Sequence, residues 1–296
     1  MQHSWNISGH KKQLELLSKS LVNNKIAHAY VFSGPDDVGK KAVAKNLAKI
    51  LLCEKQLGCD SCDQCRTLNL STNPDYIELS QPETIKIDQV RQLVYKLNLK
   101  PYLAKHKIAV IDQADSMTTE SANAMLKSME EPKPYTVIIL IASNAQRLLP
   151  TILSRTQKIT FGFVPESEYE SLFPESISDT QKGIIQKFAS GRPGLVKKLL
   201  ADPDSLEQLQ NIDRQYQTYM KNDLVDRIKL ASLLSEAESP EIKSTLQYWL
   251  SSLEKDLLNR PQAEVVKKLT LVSKARLMLE SNVNCKLLLT QLMLES

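Results

Sequence analysis

The chain has 296 residues, of which 42% are hydrophobic and 24% charged, and these values are ordinary for a globular protein. Its length allows two or three domains. The net charge of +4 is too small to indicate nucleic-acid binding by itself.

The beginning of the chain gives a first indication of location. Residues 1–5 lack the charged and apolar regions of a secretory signal. Apolar runs throughout the chain stay well short of the ~20 residues that span a membrane. We therefore expect a cytoplasmic protein.

Leucines at helical spacing in residues 10–22 predict its first helix.

A glycine-containing loop follows the first predicted strand, residues 29–33. The pattern Gly-x4-Gly-Lys-Ser/Thr binds phosphates through backbone N–H groups and its lysine, and holds Mg²⁺ through the hydroxyl. Gly34, Gly39 and Lys40 fit this pattern, and an alanine-rich amphipathic helix is predicted after them. Lys41 stands at the hydroxyl position and cannot ligate a metal cation. The sequence keeps a nucleotide-binding scaffold and lacks one catalytic group.

Four cysteines lie close together in the sequence, and they are Cys53, Cys59, Cys62 and Cys65. Two overlapping Cys-x2-Cys steps with a fourth cysteine upstream predict a tetrahedral thiolate site for Zn²⁺. The alternatives are free thiols or disulfides, and a reducing compartment disfavours disulfides. Because four thiolates leave no open coordination position, the predicted zinc is structural.

Further apolar runs predict strands at residues 76–79, 107–112, 136–142 and 157–163. Helices are predicted between them, one opening after residue 85 with Asp88 as its N-cap and one over residues 118–130. Alternating strands and helices imply a parallel sheet with right-handed crossovers.

The strand that ends in Asp112 places a carboxylate where ligands of open α/β sheets bind. In an active nucleotidase such an aspartate helps to hold Mg²⁺, and an adjacent glutamate commonly polarises the attacking water. Here the next residue is Gln113, whose amide cannot take up a proton. Asp115 is interpreted as structural, as a cap for the next helix. Ser143 and Asn144 end the fourth strand, either beside a γ-phosphate or as a helix-capping or turn pair.

The chain becomes helical after the fifth strand. Residues 165–203 predict two or three short helices. Longer helices are predicted over residues 206–220, 224–234, 241–258, 265–279 and 283–294, with breaks at Asn222, Pro240, Pro261 and Asn282. We predict three domains, comprising residues 1–163, 164–204 and 205–296.

The order of these pieces resembles the bacterial DNA polymerase III clamp-loader subunits, a family of AAA+ proteins, over the whole chain. The stretches that carry the resemblance are residues 28–32, Gly39-Lys40-Lys41, the four cysteines, Asn73-Pro74-Asp75, and residues 87–91, 123–132 and 149–155. The resemblance implies an α/β AAA+ domain with a parallel sheet and an inserted zinc module. A small helical lid and an all-α C-terminal collar would follow.

Within this family, the chain resembles a subunit that does not hydrolyse ATP. The ATP-hydrolysing gamma/tau subunits would carry Lys-Thr at positions 40–41 and Asp-Glu at positions 112–113. The resemblance also implies a role for Arg155, in Ser154-Arg155-Thr156, where the family has Ser-Arg-Cys. This arginine would reach a neighbouring subunit's ATP and stabilise charge on its γ-phosphoryl group. The alternative is a surface arginine in a salt bridge.

The implied function is a scaffold subunit that supplies Arg155 to a neighbouring ATPase while a sliding clamp is loaded on primer–template DNA. Its implied partners are the gamma/tau and delta subunits, with the clamp and DNA reached through the complex. One alternative is an active ATPase that binds ATP through Lys40 and Asp112. Another is nucleotide binding without hydrolysis at Gly34, Gly39, Lys40 and Asp112. A third is a zinc-bearing DNA-binding module.

Overall fold

The computed structural model describes residues 5–81, 84–221, 223–259, 262–279 and 283–295. The first four residues and the helix breaks predicted at Asn222, Pro261 and Asn282 lie outside these ranges. The chain divides into two compact units. One comprises Met1–Tyr169 with Arg192–Gly194, and the other comprises Glu170–Gly191 with Leu195–Ser296.

The first unit is built on a parallel sheet. Its strands are β1 (Ala29–Ser33), β2 (Tyr76–Leu79), β3 (Lys107–Ile111), β4 (Thr136–Ala142) and β5 (Gln157–Thr160). Their order is β2-β3-β4-β1-β5, and every neighbouring pair is parallel. All residues of β1, β3 and β4 are buried, as expected for strands covered on both faces. The predicted α/β fold is confirmed.

The fifth strand is shorter than the sequence predicted. It ends at Thr160, which pairs with Ser33, the last residue of β1. Among the described strands β5 pairs with β1, which ends at Ser33, so the regular pairing stops at Thr160 and is followed by a hydrogen bond of 2.8 Å from the Phe161 N–H to the Ser33 carbonyl.

Helices cover both faces of this sheet. They are α1 (Lys11–Val22), α2 (Lys40–Leu52), α3 (Asp63–Asn69), α4 (Ile87–Asn98), α5 (Thr119–Glu130), α6 (Pro150–Leu153) and α7 (Glu166–Tyr169). Alternation along β4 sends Ile139 and Ile141 to the core beneath α1 and α2. Ile138 and Leu140 face the core beneath α4 and α5.

The start of α4 differs from the prediction. Its N-cap is Lys86, and Asp88 lies in the first turn instead. A single parallel bridge between Ile85 and Met117 keeps the preceding chain extended, so the helix begins at Ile87. The Gln89 side chain accepts a hydrogen bond of 2.9 Å from the Lys86 N–H and completes this end of the helix.

The remaining helices are α8 (Asp179–Ala189), α9 (Pro193–Ala201), α10 (Pro203–Met220), α11 (Leu224–Ser235), α12 (Ser239–Asn259), α13 (Ala263–Met278) and α14 (Cys285–Glu295). The predicted all-α C-terminal region is confirmed. Residues 170–191 belong to the same unit as the long helices, so the boundary at residue 204 between lid and collar stays a prediction. None of the helices in the described part of the chain has the length and hydropathy of a membrane-spanning segment.

Candidate functional site

The loop between β1 and α2 depends on its two glycines. Gly39 has φ of 110° and immediately precedes α2, where its carbonyl accepts the Val43 N–H at 3.1 Å. Gly34 has φ of 148°, and a Cβ there would overlap the Phe161 carbonyl oxygen. Side chains would be strained at both positions, so the sequence pattern marks a real backbone requirement.

Lys40 is turned into its own loop. Its Nζ donates to the carbonyls of Gly34 at 2.5 Å and Pro35 at 2.6 Å, and lies 3.8 Å from Asp36 Oδ1. The side chain is 5% exposed. Burial lowers the pKa of Lys40, and the charges of Asp36 and Asp112 oppose that shift only in part. The amine expected at the terminal phosphates of a nucleotide instead ties together the loop that carries it.

Lys41, at the position of the missing hydroxyl, pairs with two carboxylates. Its Nζ lies 2.7 Å from Glu78 Oε1 and 3.2 Å from Asp112 Oδ2. Burial alone would lower the pKa of Lys41, but the hydrogen bonds and charges of Glu78 and Asp112 raise it overall. Burial would raise the pKa of Glu78, and its hydrogen bonds with Lys41 and Tyr76 lower it instead. The two carboxylates therefore have as their partner a half-exposed ammonium group that belongs to the chain itself.

The end of β3 carries the predicted acid and amide. Asp112 follows Ile111, and its Oδ1 accepts the Gln113 N–H at 3.1 Å. Gln113 is exposed and has φ of 53°, in the left-handed region. The structure brings Asp112 to the loop lysines, which lie at the carboxyl edge of the sheet as the sequence indicated.

Asp115 is structural, but not as a helix cap. Its Oδ2 accepts the Ser143 hydroxyl at 2.5 Å and the N–H groups of Ser143 and Asn144 at 3.2 Å each. The N-cap of α5 is Thr118, whose side chain accepts the Ser121 N–H. The predicted helix cap was wrong. The donors at the end of β4 occupy the Asp115 carboxylate, and Thr118 caps the helix instead.

Magnesium nucleotide does not fit the groups at this loop. Glu78 and Asp112 are already paired with Lys41, and the position after Lys40 offers no hydroxyl ligand. Asp36, Asp37, Asp112 and Asp115 act on Lys40 electrostatically, so acids outnumber bases around a site that would have to hold a polyphosphate.

Sequence reasoning missed three residues that shape the loop. Glu78 is a charged residue within the short strand β2, beside β3, which was the available signal. The ring of His10 is buried, with Nε2 2.8 Å from the Val38 carbonyl. The Gly194 N–H donates to the Asp37 carbonyl at 2.7 Å, and a Cβ at Gly194 would lie 2.6 Å from that oxygen. Contacts between residues this far apart in the sequence produce no local sequence pattern from which they could be predicted.

The four cysteines come together at the end of α2 and the start of α3. Their sulfur atoms all lie within 4.8 Å of one another, so they could hold a metal ion. Cys53 Sγ is 3.6 Å from Cys59 Sγ and 3.9 Å from Cys62 Sγ. A tetrahedral zinc ion with Zn–S bonds of about 2.3 Å requires sulfurs about 3.8 Å apart. The donor set and its spacing fit zinc.

Hydrogen bonds around the cluster favour thiolates at two of these cysteines. The Ser61 hydroxyl and N–H lower the pKa of Cys59 to about 5. Burial would raise the pKa of Cys53, but the N–H groups of Cys59, Leu57 and Lys55 lower it overall. Since the thiolate is the metal-binding form, these bonds favour cation binding at Cys59 and Cys53, whereas burial raises the pKa of Cys65.

Arg155 lies just after α6, away from the phosphate-binding loop in sequence. Its Nη2 pairs with Glu130 Oε1 at 2.8 Å, and its Nη1 donates to the Thr151 carbonyl at 3.0 Å and to Ser154 Oγ at 3.1 Å. The side chain is 35% exposed. In the isolated chain its guanidinium is therefore held locally and still reached by solvent.

Comparisons with known proteins agree on one group. The family model described as "DNA polymerase III, delta subunit" matches residues 9–164. The DNA polymerase III subunit delta' of Bacillus subtilis is 28% identical over 314 residues, covering 95% of this chain and 94% of that protein. The subunit delta' of Pseudomonas aeruginosa is 42% identical over 135 residues, covering 44% of this chain and 41% of that protein.

A third relative shows how far the likeness extends to other subunits. The DNA polymerase III subunit tau/gamma of Haemophilus influenzae is 32% identical over 206 residues, covering 67% of this chain. The match spans 30% of that relative's length, against 41% for the Pseudomonas and 94% for the Bacillus protein.

Proposed function

The chain belongs to the DNA polymerase III delta subunit family, and we propose that it acts as a delta-prime-type, non-hydrolysing subunit of a clamp loader. In this role it is a scaffold of a ring that also contains gamma/tau and delta subunits. The ring uses ATP bound elsewhere to load a sliding clamp on primer–template DNA.

The observation that carries this proposal is the state of the two loop lysines. Lys40 Nζ bonds the carbonyls of Gly34 and Pro35, and Lys41 Nζ pairs with Glu78 and Asp112. Phosphoryl transfer depends on a lysine and a magnesium ion placed against the terminal phosphates. Here the lysine and the carboxylates that could hold the magnesium ion are bonded to other groups of the same chain. This supports a subunit whose contribution to catalysis lies outside its own loop.

Arg155 is the residue proposed to make that contribution. Its pair with Glu130 is partly exposed on both sides, and such pairs contribute about 1 kcal/mol or less. A charged γ-phosphoryl group of a neighbouring subunit is a stronger partner for a guanidinium than a solvated carboxylate. Arg155 would then exchange Glu130 for the transferring phosphate and stabilise its charge.

Zinc is the metal proposed for the cysteine cluster. Four sulfur ligands with tetrahedral spacing are the usual ligands of structural zinc, and Cys53, Cys59, Cys62 and Cys65 would fill every coordination position. The ion would fix the segment between α2 and α3. The first of these helices, α2, is the one that follows the phosphate-binding loop. This assigns zinc a structural and not a catalytic role.

The predicted domain organisation completes the proposal. Residues 164–204 would form the lid and residues 205–296 the collar that joins the subunits. Contacts with the clamp and with DNA would be made through the complex, and DNA contacts would be to phosphates without sequence preference. A cytoplasmic location follows from the access to DNA that this role requires.

The alternative, an ATPase working through Lys40 and Asp112, is supported less well. It needs Lys40 to leave two carbonyl acceptors and Asp112 to exchange Lys41 for Mg²⁺. It also needs a water activated without a carboxylate at position 113.

Two measurements test the proposal against its alternatives. The chain should join gamma/tau and delta in one complex of defined mass, and its own ATP turnover should equal that of its Lys40→Ala variant. Turnover that Lys40→Ala abolishes would favour the ATPase. Failure to join the complex, with tight binding of duplex DNA by the chain alone at physiological salt, would favour a DNA-binding module.

A further inference from the structure

Lys41 joins two strands through their acidic side chains. Glu78 lies on β2 and Asp112 follows β3, its neighbour in the sheet. The Lys41 ammonium is 2.7 Å from Glu78 Oε1 and 3.2 Å from Asp112 Oδ2. Both carboxylates are also held by hydroxyls, since Tyr76 donates to Glu78 Oε2 at 2.8 Å and Ser80 to Asp112 Oδ2 at 3.4 Å. The cation therefore meets a pair of oriented carboxylates.

This is the position at which a phosphate-binding loop would use a divalent cation. Mg²⁺ in such sites takes oxygen ligands, usually one or two carboxylates with substrate phosphates and water. The same kinds of oxygen atom are present here, but the positive charge that they contact is part of the chain. A second cation placed between them would be repelled by the ammonium over a few ångströms.

We propose that the Lys41 ammonium is a tethered cation that takes the place of Mg²⁺ and closes this loop to magnesium nucleotides. Lys40 reinforces the closure, because its buried amine donates to two carbonyls of the loop itself. A ligand shifts a conformational equilibrium only by binding one state better than another. Since the loop is closed to metal nucleotide, ATP binding at this loop should not shift the conformation of the unit. The inference concerns the chain alone and holds whether or not it joins a ring.

Removal of the tethered cation should create a response to magnesium. In Lys41→Met, Glu78 and Asp112 lose their counter-ion, so the variant should unfold at a lower temperature than the wild type. Addition of about 10 mM Mg²⁺ should raise its Tm by about 2 °C or more, since binding to the folded state stabilises it. The wild type should show no rise.

Matched variants separate this effect from a general response to salt. Lys41→Arg keeps a cation in place, and Lys12→Met removes an exposed lysine of α1; neither should gain a response to Mg²⁺. The triple variant Lys41→Met, Glu78→Gln, Asp112→Asn should lose the response, because its oxygens no longer carry charge. If Lys41→Met folds only when Mg²⁺ is added, that requirement for Mg²⁺ supports the proposal in the same way.

Two results would overturn the inference. One is a rise in the wild-type Tm with Mg²⁺ or with magnesium ATP that saturates at millimolar concentration. The other is a folded Lys41→Met whose Tm does not respond to Mg²⁺. Neither result would by itself contradict the proposed clamp-loader role, because assembly with gamma/tau and delta and the contribution of Arg155 are measured separately.

Discussion

Arg155 is paired within its own chain with Glu130, at 2.8 Å between Nη2 and Oε1. Glu130 is the last residue of α5, and Arg155 follows α6, so the pair joins the ends of two helices. The side chains are 35% and 48% exposed, which makes the pair accessible to an incoming group. The isolated chain thus keeps the guanidinium ordered without burying it.

Arg155→Ala should impair the reconstituted ring but not the fold of this chain. Loss of an arginine finger lowers phosphoryl transfer at the site it serves by about 10³-fold or more. Total ATP turnover should fall by the share of that one site. The stability of the isolated variant should stay within about 1 kcal/mol of the wild type, because the lost pair is exposed. Steady-state ATP hydrolysis with clamp and primed DNA measures the turnover of the ring. Urea unfolding measures the stability of the isolated variant.

Two variants serve as controls for Arg155. Glu130→Gln removes the negative charge of the intrachain ion pair and leaves the guanidinium, so turnover by the ring should be maintained. Arg147→Ala removes an exposed arginine at the end of the 3₁₀ helix Ala145–Arg147 and should also be neutral. Undiminished turnover with Arg155→Ala would remove the proposed role in trans.

The sheet was predictable because its central strands are continuous apolar runs. β1 and β4 begin and end at the residues that the sequence indicated, and Asp112 follows β3 at the expected edge. A strand that is buried on both faces needs apolar side chains at every position, whichever strands and helices pack against it. The loop glycines were predictable for a similar reason, since each has a positive φ that favours glycine.

Partners of polar side chains were not predictable in the same way. Lys41 could be seen to lack a metal-binding atom, but its pairing with Glu78 joins α2 to β2, which lie far apart in the sequence. The same holds for Asp115, which the end of β4 satisfies, and for Arg155, which bonds Glu130. Charged groups are satisfied by whichever partner the fold brings close, and sequence spacing does not specify that choice.

If zinc binds at the four cysteines as proposed, removal of two of them should release the ion and destabilise the first unit. We expect the double variant Cys62→Ser, Cys65→Ser to lose bound zinc, measured by elemental analysis of the purified protein. Its Tm should fall, because structural zinc contributes directly to folding free energy. Cys285→Ser, in the second unit, should keep the zinc content of the wild type. Zinc that persists in the double variant would exclude this site.

Asp115 should make stability depend on pH in the acid range. Burial would raise its pKa, but hydrogen bonds from the Ser143 hydroxyl and the Asn144 and Ser143 N–H groups lower it overall. A carboxyl whose pKa is lowered on folding stabilises the protein above its unfolded value of about 3.9. That contribution is lost as the pH falls through the folded value.

The matching variant is Asp115→Asn. At pH 7 it should be less stable than the wild type, and the difference should shrink as the pH falls below about 4. Urea unfolding at a series of pH values measures this difference. A gap that stays constant from pH 7 to about pH 3 would show that the Asp115 charge does not stabilise the end of β4.

Asp75 is the buried acid whose removal should destabilise the first unit most clearly. It is fully buried, and its carboxylate accepts the N–H groups of Tyr102, Leu103 and Ala104 at 2.7, 2.9 and 3.0 Å. Lys107 Nζ, also buried, lies 3.7 Å from Asp75 Oδ1. Asp75→Ala would leave three donors and one buried cation without this acceptor, so we expect a loss of about 2–4 kcal/mol.

The control for Asp75 is an acid with an equally short side chain on the surface. Asp88 is 82% exposed and lies 3.6 Å from Arg91, so Asp88→Ala should change stability by about 0.5 kcal/mol or less. Urea unfolding of both variants under the same conditions gives the comparison. If the two losses were equal, the carboxylate of Asp75 would not be what orders the turn between α4 and β3, and that turn would have to be held by the packing of its own side chains.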